Sequence, residues 1–508
     1  VKRNIRSAYN AISALALMLT TGIFGLIVTK LIIETYGSDF YGLNATATQI
    51  ITIVLLLEGG FTLAANVALL KPYTSKNYDV VNGIAAATHR TFRKAGALSL
   101  LFGATLVVLY SFFINSGLSQ GFIILVLMMT VFPVSVNLFA VTKYRIILQA
   151  EQKEYVISLS SLVTGIARYV AIIVLIYFGT PMWTIAFATM VFVLINNLII
   201  YLHVKIKYKL INFKATPNFA AIKGTRDVLV QKITVALYMS LPIIAITLSA
   251  GGTMLASVYA VFNSVFLLLK GLLRAVIDAP RLGLGEFASQ KSKEHVWNIF
   301  KQYQMVVFAL LFILLSVASV LVMPFISIYT KNVTDINYTQ PFIALAMVLT
   351  AFFELLHMPS GHLINMTGNF RVSRNIQLIG SGTLVTGLVT GAITLGLYGI
   401  LGAVLLTSAL LAVLQIGYVH RLFFKKKMLG FARLILPVVI IGPLVVWLEI
   451  RLLPQLNGFA HFALAGLALL LVNSVIGFAM YYLTNRATMM SLLNRFASML
   501  PKRKRDSN

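Results

Sequence analysis

Long apolar runs separated by short polar segments repeat along the whole chain. The runs lie at 12–33, 43–70, 95–114, 121–142, 156–178, 182–204, 229–249, 254–278, 304–328, 342–366, 376–397, 399–418, 434–450 and 459–483. Each is about as long as a helix that crosses the ~30 Å hydrocarbon layer of a bilayer, roughly 20 residues. The pattern predicts an all-α polytopic membrane protein of about fourteen transmembrane helices.

The polar segments alternate in charge. One set carries Lys71, Lys76, Arg90, Arg93 and Lys94; Lys143, Arg145 and Lys153; Lys205, Lys207, Lys209, Lys214, Lys223 and Arg226; Arg281, Lys291 and Lys293; Arg371 and Arg374; and Arg421, Lys425, Lys426 and Lys427. The other set holds little beyond Lys331 and Arg451. Cytoplasmic loops retain positive charge, so the alternation predicts a multi-pass protein of the bacterial cytoplasmic (inner) membrane with both termini in the cytoplasm. Lys2, Arg3 and Arg6 ahead of an apolar run resemble a signal peptide, but no small-residue cleavage site follows, which predicts a retained first helix. Beyond Asn485, the helical spacing of Met489, Leu492, Leu493, Phe496 and Leu500 before the basic 501–505 predicts a surface helix against anionic headgroups or a plain stop-transfer anchor.

Composition narrows the function. Hydrophobic residues make up 59% of the 508 and charged ones 11%, against about 25% charged in soluble domains. A formal charge of +27 would suggest nucleic acid only if the cations formed a patch on a soluble face; here they are confined between apolar runs, so no nucleic-acid partner is expected. With no cysteine, disulfides, thiolate nucleophiles and cysteine zinc sites are excluded, and no cofactor or metal is expected.

An internal echo relates two parts of the chain. Leu55–Gly59 (LLLEG) in the second run matches Leu267–Gly271 (LLLKG) in the eighth, and Ile147–Tyr155 (ILQAEQKEY) after the fourth corresponds in position to Leu363–Arg371 (LINMTGNFR) after the tenth. Both pairs fall six runs apart, an even number, which predicts a parallel repeat about an axis along the membrane normal. The predicted organisation is an N-terminal six-helix lobe at 1–213, a second at 214–428, an appended helix pair at 429–484 and a basic cytoplasmic tail at 485–508.

Charges inside the runs carry the functional signal, because an ionisable group at the bilayer centre costs at least ~2.5–3.5 kcal/mol on insertion scales. Of 14 acidic residues, Glu58, Asp278 and Glu354 fall inside runs and Glu449 at the outer end of one, together with Lys30, Arg168, Lys270 and Arg274. Lys270, Arg274 and Asp278, at i, i+4 and i+8, stack on one helix face and form either a phosphate-binding stripe or a structural ion-pair ladder. Lys30 either binds substrate or snorkels to the headgroups, and Arg168 either touches substrate or neutralises Glu58 or Glu354. Glu354 and His357, at i and i+3, suit a proton site or a structural pair, and His362 reads as ordinary. Opposite charges at equivalent positions raise the possibility of a Glu58–Lys270 gate, the alternative being a partner for each within its own lobe. Pro133, Pro242, Pro324, Pro359, Pro437 and Pro443 are hinge candidates, and Gly387 and Gly391 form a small-xxx-small contact.

Three stretches, Tyr41–Leu43 with Leu57–Gly60 and Leu70–Pro72, Leu148–Tyr155 and Ile364–Arg371, resemble the polysaccharide repeat-unit flippases (Wzx-like) of the multidrug, oligosaccharidyl-lipid and polysaccharide (MOP) exporter superfamily. The resemblance implies two six-helix lobes, a cationic central cavity lined by Lys30 and Lys270, and alternating access. It implies an undecaprenyl-pyrophosphate-linked oligosaccharide as cargo, with membrane lipids, a polysaccharide polymerase and glycosyltransferases as partners. Glu58 matches the family's acidic position in the second helix. MurJ-like lipid II flippases differ in having a cluster of arginines in the first helix, where only Lys30 stands here, although 429–484 is similar to the pair that cradles a lipid tail in those members. An ion-coupled drug exporter of the same superfamily is the other transporter reading. A membrane glycosyltransferase or polymerase is disfavoured: the outer segments are short, and Glu34, Asp39, Asp335 and Glu449 have no paired-carboxylate or metal spacing.

Overall fold

The computed structural model describes residues 2–58, 60–222 and 226–499. Lys223 and the basic end at 501–505 lie outside them. Among the described residues all regular structure is helical, as the run lengths require, since a helix satisfies its own backbone donors and acceptors in lipid.

The first helix, α1 (Lys2–Val54), has 53 residues, about 80 Å at 1.5 Å per residue and more than twice the ~30 Å hydrocarbon thickness. It breaks at Gly37, whose φ of 86° and ψ of 166° suit a residue without a Cβ. One of the 13 candidate membrane spans among the described residues, Tyr9–Glu58, has 50 residues, enough for two passes at roughly 20 residues each, which reconciles the 13 with the fourteen runs of the sequence.

Following α1 are α2 (Phe61–Thr74), α3 (Tyr78–Phe113), α4 (Gln120–Val136), α5 (Thr142–Ala150), α6 (Glu154–Tyr177), α7 (Trp183–Lys207), α8 (Arg226–Leu248) and α9 (Gly252–Asp278). Then come α10 (Arg281–Gln290), α11 (Lys293–Tyr329), α12 (Pro341–Leu356), α13 (Met358–Met366), α14 (Phe370–Leu395), α15 (Leu397–Gly417), α16 (Leu429–Leu452), α17 (Phe459–Thr484) and α18 (Arg486–Met499). Contacts divide the chain into unit 1, residues 1–261, 332–337 and 384–400, and unit 2, residues 262–331, 338–383 and 401–508.

Three of the apolar runs are broken helices. The run at 43–70 passes through a 3-10 turn, Leu55–Glu58, and restarts after Gly60. The run at 121–142 contains a π turn, Asn137–Val141. That at 342–366 is interrupted at His357, and Pro359 sits in the first turn of α13. The other proline hinge candidates lie inside helices.

In unit 1, α1 packs against α6, α8 and α4, and a core of Ala65, Leu69, Val81, Ile84, Phe92 and Ile146 joins α2, α3 and α5. Unit 2 is organised on α11, which packs against α12, α16 and α17 and buries Phe300, Phe308 and Phe312. Because lipid is as apolar as these side chains, close packing rather than water exclusion holds them together. The tail helix α18 forms: Met489 and Leu492 close an apolar pocket of about 240 Å³ with α11 and α17, and Gln302 donates to Ser491 at 2.8 Å. Its inner face thus meets protein.

Candidate functional site

In unit 2 the charged stripe of α9 meets α12 and α13. Lys270 Nζ lies 2.9 Å from Glu354 Oε2, with both side chains below 10% exposed. Arg274 reaches the same oxygen at 3.7 Å and leaves 39% of its side chain exposed. Two turns further on, His362 Nε2 lies 2.9 Å from Asp278 Oδ1. The spacing is the same on both sides, eight residues from Lys270 to Asp278 and eight from Glu354 to His362, so α9 and the α12–α13 segment run in the same direction. Tyr303 of α11 fixes the far end: its hydroxyl donates to the Ile277 carbonyl at 2.7 Å and lies 2.9 Å from His362 Nδ1. Taking two ions out of water costs several kcal/mol each unless geometry and further hydrogen bonds compensate; one carboxylate shared by two cations is such a compensation.

His357 caps α12 with helical backbone angles, and its ring Nδ1–H donates to the Phe353 carbonyl at 2.7 Å. His362 is not ordinary: it is buried and bonded through both nitrogens, a role invisible while its partners on α9 and α11 were unknown.

In unit 1 Glu58 stands on the 3-10 turn before Gly60 and pairs with Lys232 of α8 at 3.7 Å, with side chains 22% and 43% exposed. Glu58 and Lys270 are thus not paired with each other: Lys270 meets Glu354 within the predicted second lobe, whereas Glu58 meets Lys232, which the sequence assigned to that second lobe but which packs in unit 1 with Glu58. Arg168 is not the partner of Glu58; its guanidinium lies over the Tyr169 ring at 4.8 Å, and its buried Nε makes no hydrogen bond. Lys30 reaches Glu34 one turn along α1 at 3.7 Å.

Near the Gly37 break, acidic residues tie loops to α1. Asp335 accepts from the Ser38 backbone N–H at 2.6 Å and its hydroxyl at 2.7 Å. Asp39 accepts from Ser116 Oγ and the Gly117 N–H, both at 2.8 Å, and from the Thr253 hydroxyl. Asn332 donates to Glu34 at 3.1 Å. Glu449 is no loop residue: it is buried in α16, where Asn473 of α17 donates to it at 2.6 Å. The stretch 148–155 staples the start of α1, with Glu151 taking Arg6 at 3.7 Å and Lys153 at 2.7 Å, and the Tyr155 N–H donating to Asn10 at 2.7 Å. The Tyr208 hydroxyl also donates to Glu151; burial first, then that carboxylate, raise its pKa.

No family model matches the chain, and no curated protein matches it in sequence. Solved structures do. The lipid II flippase MurJ in an inward closed conformation superposes with a TM-score of 0.70 at 12% identity, covering 93% of this chain and 99% of that one. An inward-facing multidrug resistance MATE family transporter of the MOP superfamily gives 0.64 at 14% identity, covering 84% and 98%. The chain is therefore a polytopic all-α membrane protein whose fold is similar to those of MurJ and of this MATE family transporter of the MOP superfamily.

Proposed function

We propose that the protein is a flippase that carries an undecaprenyl-pyrophosphate-linked oligosaccharide, the repeat unit of a surface polysaccharide, from the cytoplasmic to the outer leaflet by alternating access. The observation that carries this reading is the Lys270–Arg274–Glu354 cluster, in which two cations share one carboxylate inside apolar helices. An incoming pyrophosphate offers better acceptors than Glu354, in charge-assisted geometry that suits both ammonium and guanidinium, and Arg274 is exposed enough to receive it. Displacing Glu354 frees α12 from α9, so cargo binding is linked to a conformational change by its differential affinity.

The lipid part of the cargo has a complementary surface. An apolar groove of about 500 Å³ between α11, α12 and α16 is lined by Leu311, Phe312, Val322, Leu349, Val438 and Trp447. On this reading the protein is a carrier without a chemical step of its own. It works in the cytoplasmic membrane with both termini inside, beside the glycosyltransferases and polymerase that make and consume the oligosaccharide. Lipid II is the alternative cargo, supported by the MurJ likeness in fold; the lone Lys30 in place of an arginine cluster favours the oligosaccharide.

Deleting the gene should abolish a surface polysaccharide while its lipid-linked precursor accumulates on the cytoplasmic leaflet, read by surface glycan analysis and precursor extraction. Unchanged glycan and precursor pools would overturn the reading. Lysis with loss of peptidoglycan synthesis would transfer it to lipid II.

A further inference from the structure

We propose that unit 1 carries a second, separate binding site for a phosphate-bearing anion, formed by His89 and Arg93 of α3 and Lys143 of α5. The site begins with the π turn between α4 and α5. There the Thr142 N–H bonds the Asn137 carbonyl five residues back, and the extra residue rotates the chain beyond it by about 100° relative to an unbroken α-helix. The turn also lies directly on α3: a Cβ at Gly96 would stand 2.5 Å from the backbone N and Cα of Phe139, so only glycine permits the approach. Together these features bring Lys143 onto the α3 face that presents His89 and, one turn on, Arg93.

Lys143 Nζ lies 2.9 Å from His89 Nδ1 and over the rings of Tyr144 and Phe213, at 5.0 and 5.2 Å. Phe213 also meets the His89 ring edge-on at 6.0 Å, and the Arg93 guanidinium lies over Phe139 at 5.8 Å. The ammonium only donates, so His89 accepts at Nδ1 and keeps its proton on Nε2. What the three side chains then offer outward is N–H alone: the remaining ammonium hydrogens, the imidazole Nε2–H and the guanidinium fork. Among the described residues none of the three has a carboxylate within 4.0 Å, whereas Lys153 and Lys426 each have one within 2.8 Å. Arg90 and Lys94 beside them are exposed and add positive charge.

Lysines that serve only to orient the protein in the membrane need to be on the right side of it. They need neither a π turn nor a glycine contact to converge. A cluster of donors backed by aromatic rings and with no carboxylate in ion-pair reach fits a phosphate group, whose oxygens accept the bonds it offers outward. That phosphate belongs either to an anionic lipid headgroup or to a soluble phosphate compound, and the two sources separate by experiment.

The full chain is titrated in neutral detergent with inorganic pyrophosphate and, in phosphatidylcholine nanodiscs, with a short-chain fluorescent phosphatidylglycerol. Saturable binding that depends on Arg93 is expected in at least one arm, which separates it from any binding at Lys270 and Arg274; Arg93-dependent binding in the pyrophosphate arm marks a soluble ligand and in the lipid arm a headgroup. Arg93→Gln removes an exposed side chain and should weaken that binding about tenfold, as loss of a charge-assisted bond does. Lys143→Gln should do the same, and Lys291→Gln, exposed and remote in sequence, should leave it unchanged. Absence of saturable binding in both arms, or binding by Arg93→Gln equal to that of the unmodified chain, would overturn the proposal.

Discussion

Glu58 and Lys270 occupy the same place in the internal echo, each after three leucines and before a glycine, yet the two charges have different surroundings. Lys270 is held at 2.9 Å by Glu354 with both side chains under 10% exposed, whereas Glu58 meets Lys232 at 3.7 Å with 22% and 43% exposure. The first pair sits on regular helices, α9 and α12; the second starts from a 3-10 turn at a helix break. A buried pair is costly to break and cheap to replace as a whole, because the penalty belongs to the charge left behind. A half-exposed pair contributes little either way, since water screens it. The pair in unit 2 therefore sets a cost that anything displacing Glu354 or Lys270 has to offset, and the screened pair at Glu58 sets almost none.

Breaking the buried pair should have the largest effect. Lys270→Ala leaves Glu354 with Arg274 as its cationic neighbour and should cost about 3 kcal/mol of stability, the low end for a broken buried pair, measured by thermal unfolding in detergent. Lys270→Met with Glu354→Met should recover most of that stability while transport in reconstituted vesicles stays abolished. If the single variant unfolds like the unmodified chain, the pair is not energetically distinct.

Arg274→Gln should come next. The Lys270–Glu354 bond survives, so thermal stability should change by less than about 1 kcal/mol, but flipping should fall roughly tenfold if the guanidinium supplies one charge-assisted bond to the headgroup. Full transport by this variant would remove Arg274 from the cargo site.

The smallest effect is expected at Glu58. Glu58→Gln should shift stability by no more than about 0.5 kcal/mol, as for a screened pair, and Lys232→Gln should match it. A loss comparable to that of Lys270→Ala would show that the two positions are alike after all.

Much of this was legible in the chain. Run length alone announced fourteen helical passes, because the bilayer fixes how long an apolar helix must be. The rarity of charge inside the runs pointed to Lys270, Arg274 and Glu354, because lipid penalises each one. The partners were not legible. Lys232 lies near the start of an apolar run and nothing local ties it to Glu58, and Arg168, mid-run and seemingly in need of an acid, stacks instead on its neighbour Tyr169. The helix breaks at Glu58 and Asn137 were also hidden, since an apolar run reads the same whether its backbone bonds go four, three or five residues back.

The sequence by itself determined the solvent, the element type, the number of passes and the few residues that lipid makes expensive, because each of these is a cost that a segment bears alone. Tertiary structure decided who offsets that cost: Glu354 for Lys270, Lys232 for Glu58, Tyr303 and Asp278 for His362. Those pairings depend on the register of helices far apart in the chain, and register is set by packing at residues such as Gly96, where Phe139 leaves no room for a Cβ.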